Sequence, residues 1–141
     1  MASQDKRKTH YGKWGKYEVT TYIDQFLNDE KVDITKDYWK GYFCRLLSDH
    51  YFYNKYFKEE HAEIIKNNDR FYYDYDCLNK ELIEKYKIEL SNNIREQINF
   101  YDAEPKYLKI SKLTDFIEQI SSMNIQDNIE TIKQKGMEGL Q

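Results

Sequence analysis

Apolar positions recur at helical spacing along most of this chain. The densest run is Tyr38 to Phe57, YWKGYFCRLLSDHYFYNKYF, with nine of the 23 aromatic residues. Within it Trp39, Tyr42, Phe43, Leu46 and Leu47 fall at i, i+3, i+4, i+7 and i+8, one face of an α-helix. Thr35 or Asp33 can cap its start, and Asp37 suits the positive end of the helix dipole. Beyond Leu47 the rings of Tyr51, Phe52, Tyr53, Tyr56 and Phe57 are too many for one narrow stripe. Ser48-Asp49 marks the expected kink or short break.

The flanking segments carry further stripes. Val19, Tyr22, Ile23, Phe26 and Leu27 predict a first helix from about Lys16 to Leu27, although Tyr17–Ile23 contains β-branched residues and can also be read as a strand; the i, i+3, i+4 spacing decides for the helix. After Phe57, Ala62, Ile64 and Ile65 continue a helix that ends at Asn67-Asn68. DRFYYDYDC (Asp69–Cys77) alternates Tyr with Asp and reads as a loop or a short extended piece. Leu82, Tyr86, Leu90, Ile94, Ile98 and Tyr101 predict one long helix from about Leu78 to Tyr101, capped by Asp76 or Asn79. Pro105 turns Glu104 away from the helical region. Leu113, Phe116, Ile117 and Ile120 form the next stripe, behind Ser111. A last short helix starts near Asn124, buries Ile125, Ile129 and Ile132, and stops at Gly136.

These stripes predict an all-α fold: a single-domain irregular bundle of five or six helices around the aromatic-rich central helix. Residues 1–15 read as a flexible basic arm, 16–136 as the α-helical domain, and 137–141 as a mobile tail. Length agrees, since 141 residues make about one domain with its own core. One proline and five glycines argue against an all-β chain of tight turns.

Charge changes the picture in one respect. The net charge of −3 conceals a basic start, in which Lys6, Arg7, Lys8, Lys13 and Lys16 face only Asp5. The acidic remainder disfavours nucleic acid as a partner, because sequence-independent binding needs clustered Lys and Arg. No run of about eighteen apolar residues is present to span a membrane. Cys44 and Cys77 are too few for a disulfide framework, and no signal-peptide apolar region is visible. An intracellular, soluble protein is therefore expected; an organelle, the mitochondrion included, stays open, although the basic arm lacks the apolar face of a transit peptide.

Candidate chemistry is sparse. His50 and His61 have no partner at metal spacing, no Glu-x-x-His pair occurs, and no phosphate loop is present. No catalytic residue, cofactor-binding residue, metal ligand or small-molecule substrate is assigned, and the chain is not expected to be an enzyme. What stands out is aromatic. Tyr11 and Trp14 lie in an arm that has no stripe to bury them. Tyr72, Tyr73 and Tyr75 lie among Asp69, Asp74 and Asp76, where full burial would strand carboxylates. Tyr11, Trp14, Tyr72, Tyr73 and Tyr75 are therefore the candidate partner-binding residues. The leading expectation is a non-catalytic protein–protein interaction protein, a small accessory or structural subunit of a larger intracellular assembly. The alternative is an inhibitor or immunity-type protein that blocks one macromolecular partner with its acidic Tyr/Asp surface. An enzyme of unrecognised type ranks third.

Overall fold

The computed structural model describes residues 12–14 and 19–140. Two three-residue strands, β1 (Gly12–Trp14) and β2 (Val19–Thr21), pair antiparallel, with Gly12 opposite Thr21 and Trp14 opposite Val19. Seven α-helices follow: α1 (Ile23–Asn28), α2 (Asp37–Tyr51), α3 (His61–Lys66), α4 (Asn68–Tyr86), α5 (Asn92–Gln97), α6 (Ile110–Ser122) and α7 (Ile125–Lys135). A π-helical turn occupies Phe52–Tyr56 and a 3-10 turn Gly136–Gly139. The fold class is all-α. The count is seven among the described residues, rather than five or six, because the long helix expected from Leu78 to Tyr101 is broken.

The chain groups into two units, residues 1–61 with 116–141, and residues 62–115. The first is built round α2. Phe43, Leu46, Leu47 and Tyr51 on its inner face are buried with Ile23 and Phe26 of α1 and Ile129 and Ile132 of α7. Phe26 stacks on Tyr42 at 5.1 Å and tilts against Trp39 at 6.0 Å, so the apolar face read from the spacing is the face used. Met137, within the 3-10 turn, and Leu140, just beyond it, also pack on this cluster. The α7 ends follow the sequence. Asn124 accepts from the Asp127 N–H at 3.0 Å, and Gly136 stops the helix with φ 64°.

Three local expectations for this unit are corrected. The first helix begins at Ile23, not near Lys16, because Val19–Thr21 adopt the extended state that β-branching favours. Asp33 does not cap α2; its Oδ1 accepts from the Thr35 N–H (3.1 Å) and hydroxyl (2.5 Å), and the helix starts at Asp37 without a side-chain cap. The break comes after Tyr51, not at Ser48-Asp49, where the Ser48 hydroxyl donates back to Cys44 O at 2.7 Å within the helix. The π turn shifts the phase of the side chains, so rings beyond one stripe find places. Phe52 lies 4.4 Å from Phe57 and 5.3 Å from Phe116, and Tyr56 lies 5.5 Å from Phe116.

In the unit of residues 62–115, Asp69–Cys77 is the first half of α4, not a loop. Phe71, Asp74 and Leu78 are its buried residues. They fall at i, i+3 and i+7, and Tyr75 at i+4 packs on Phe71 at 4.8 Å. A carboxylate occupies one position of the stripe, and that conceals the helix in the sequence. The helix then ends at Tyr86. Lys87 is left-handed (φ 50°), and its N–H and that of Ile88 both donate to Ile83 O, the pairing that closes a helix C-terminus. Ser91 starts α5 by accepting from the Ile94 N–H at 3.3 Å. No residue from Lys87 through Lys106 is buried. Of the periodic stripe here Leu90 and Ile98 are only half-buried and Ile94 is exposed, and so little burial does not hold one long helix together in water.

Candidate functional site

Of the aromatic and acidic residues singled out in the sequence, Tyr72, Tyr73 and Tyr75 with Asp69, Asp74 and Asp76 all lie on α4, and several of them meet the segment that returns past it. Asp74 is fully buried, yet it is not stranded as expected. Its Oδ1 accepts from the Lys106 N–H at 2.8 Å, and its Oδ2 from the N–H groups of Tyr107 (2.6 Å) and Leu108 (3.1 Å). Arg70, one turn earlier, places Nε 3.2 Å from Oδ1 as an ion pair without the alignment of a hydrogen bond. Its Nη2 donates to Glu104 O at 3.0 Å. Asp74 is thus a latch that pins residues 106–108 to α4, and Arg70 adds residue 104.

Asp76 does similar work at the surface. Its Oδ1 accepts from Asn79 Nδ2 and its Oδ2 from Asn99 Nδ2, each at 3.4 Å. Its carbonyl accepts from the Tyr101 N–H at 3.3 Å, and Asn79 Nδ2 donates to Asn99 O at 3.0 Å. Asp69 alone of the three acids is exposed.

The three tyrosines share a helix but not a face. Tyr72 is 55% exposed. Tyr75 is half-buried against Phe71, 6.4 Å from Tyr72. Tyr73 stacks on Tyr101 (4.8 Å, 18°), and the Arg70 guanidinium covers Tyr73 at 4.6 Å. Tyr11 lies outside the described residues; of Trp14 only the strand pairing is described. Sequence reasoning missed Tyr101 and Phe100 as surface groups, because the broken helix had placed Tyr101 on an apolar face. The run Ser91-Asn92-Asn93, cap and turn formers inside a supposed helix, is the signal that could have revealed it.

Beside these rings lies a cleft of about 840 Å³, wholly within residues 62–115. Phe100 and Tyr101 line it, with the acidic residues Glu81, Glu84, Asp102 and Glu104 and the basic residues Lys80 and Lys109. Cys77 also lines it; burial first, and then the nearby Asp74 charge, push its thiol pKa up. Burial raises Cys44 as well. Both shifts favour the thiol over the thiolate, opposite to the tuning of a nucleophilic cysteine. Burial lowers the His50 pKa, and His50 Nδ1 faces Asn54 Nδ2 at 3.4 Å. His61 is fully buried edge-on to the Tyr53 ring. Among the described residues no group of three His, Cys, Asp or Glu side chains could hold a metal ion, and no helix is long and apolar enough to cross a membrane. Searched against known proteins, the chain matches no family model, no curated protein and no solved structure.

Proposed function

We propose that this protein is a non-catalytic interaction protein, a small accessory or structural subunit of a larger intracellular assembly, and that it holds its protein partner through residues 62–115. One observation carries the reading. Among the described residues the large exposed apolar side chains are Tyr38, Ile65, Tyr72, Ile88, Ile94, Phe100, Tyr101 and Ile125, and all but Tyr38 and Ile125 lie in this unit. Exposed apolar side chains gathered in one unit are what an interaction surface draws on, and tyrosine is enriched where binding energy concentrates. The raised thiol pKa values and the unbridged Cys44 and Cys77 suit a binding protein in a reducing compartment. Tyr11 and Trp14 remain candidate contacts of the N-terminal arm.

The exposure of Tyr72 and Asp69 on one helix favours a second reading, an inhibitor or immunity-type protein that blocks a partner with this acidic Tyr/Asp surface. Only part of the acidic cluster is available for it, since Asp74 is spent on backbone amides.

The test is native purification of the tagged protein with mass-spectrometric identification of its companions, compared with a Tyr72→Ser/Ile94→Ser variant. Both side chains are exposed, so the melting temperature should hold. A stoichiometric protein companion lost in the variant supports the reading. A companion retained at full yield would move the interface elsewhere. A companion that is inactivated when bound selects the inhibitor.

A further inference from the structure

We propose that the cleft beside Tyr101 seats a short basic segment of the partner, with an arginine stacked on the Tyr101 ring. This deepens the reading that residues 62–115 bind a protein, and rests on it. The chain already builds the same arrangement internally: the Arg70 guanidinium lies over Tyr73, and Tyr73 stacks on Tyr101. Tyr101 is still 42% exposed and lines the cleft together with Phe100, itself 48% exposed. A further guanidinium on Tyr101 extends this stack by one layer.

Charge selects the occupant. Glu81, Glu84, Asp102 and Glu104 outnumber Lys80 and Lys109 around the cleft, and none of the four carboxylates has an ion-pair partner among the described residues. A cation entering there meets an excess of carboxylates over ammonium groups. Arginine fits better than lysine because its planar guanidinium stacks on a ring while its five N–H donors reach carboxylates at the edge. The volume falls in the range of ligand sites, which leaves room for the neighbours of that arginine. Phosphate-bearing partners are repelled by the same carboxylates.

The experiment uses the full chain and three fluorescein-labelled Gly/Ser peptides, one arginine-rich, one lysine-rich and one glutamate-rich, followed by anisotropy at low and high salt. The arginine peptide should bind about two- to fivefold more tightly than the lysine peptide, and the glutamate peptide should not bind. Tyr101→Leu should bring arginine binding down to the lysine level. Glu81→Gln/Glu84→Gln should weaken both cationic peptides and flatten their salt dependence. Equal binding of arginine and lysine peptides by the unaltered protein would reduce the site to a diffuse acidic surface and overturn the proposal, as would no binding of the arginine peptide. These comparisons do not depend on the folding of any variant. The two failures are separable. A companion captured through Tyr72 and Ile94 by a protein that ignores the arginine peptide keeps the interaction reading and removes this one.

Discussion

Tyr107 donates its backbone N–H to Asp74 Oδ2 at 2.6 Å, across 33 positions of sequence. With the neighbouring amides of Lys106 and Leu108, it turns one carboxylate into the joint between α4 and the return segment. Asp74→Ala should therefore destabilise the protein by about 3–5 kcal/mol, the cost of removing one member of a buried charged network. Asp69→Ala, at an exposed position on the same helix, should stay within about 0.5 kcal/mol. Urea denaturation of both variants checks the contrast. Equal small losses would show that the latch contributes nothing.

Lys87 closes α4 with φ 50°, a conformation that costs a side-chain-bearing residue about 1–2 kcal/mol. Lys87→Gly relieves that cost and gives back part of it as chain entropy. The expected gain is about 0.5–1 kcal/mol, read as a higher urea midpoint with unchanged slope.

Gly136 gives the opposite case. Its φ of 64° and ψ of −157° lie in a region that glycine alone adopts readily. An added Cβ would meet nothing within 4 Å, so the cost of Gly136→Ala is conformational and not steric. A loss of about 1–3 kcal/mol is expected, measured by thermal or chemical denaturation.

Leu46→Ala removes a fully buried side chain from the α2 face. It should cost about 2–5 kcal/mol in the same assay. A loss below about 0.5 kcal/mol, the range of surface substitutions, would require the core to be reassigned.

Stability should also fall on mild acidification. Burial depresses the His50 pKa below its ordinary 6.5, so the unfolded chain takes up a proton at a higher pH than the folded one. The contribution is fully present above pH 6.5 and declines as pH falls from there towards the folded value. Melting curves across that window, compared with His50→Gln, isolate it. The variant should show a flatter dependence.

How much of this was legible depended on what each stripe contained. The face of α2 follows from its spacing, and the ends of α7 from the Asn124 cap and the Gly136 stop, because the residues that bury there are apolar; Ile125, expected to be buried with Ile129 and Ile132, is instead 37% exposed. In α4 the stripe includes Asp74, and a charge at a buried position reads as a surface signal. Its partners are backbone amides some thirty residues on, which leave no mark on side-chain pattern. The segment after Tyr86 fails for the converse reason. Leu90, Ile94 and Ile98 have helical spacing but none of them is fully buried, and Ser91 offers the backbone a local alternative. Of the candidate site, the tyrosines on α4 could be found from the sequence. The pairing of Tyr73 with Tyr101 could not, since it depends on where that segment turns back.

The discontinuity of the first unit sets the order of events on the ribosome. Phe26, Phe43 and Leu46 are translated well before Ile129 and Ile132, which complete their cluster. At about 5–20 residues per second the wait from Tyr51 to Ile129 is on the order of ten seconds. Until then the cluster of α1 and α2 lacks the cover of Ile129 and Ile132, while residues 62–115 are made in between and can fold first. The nascent chain is for that interval a natural client for chaperones that hold exposed hydrophobic helices.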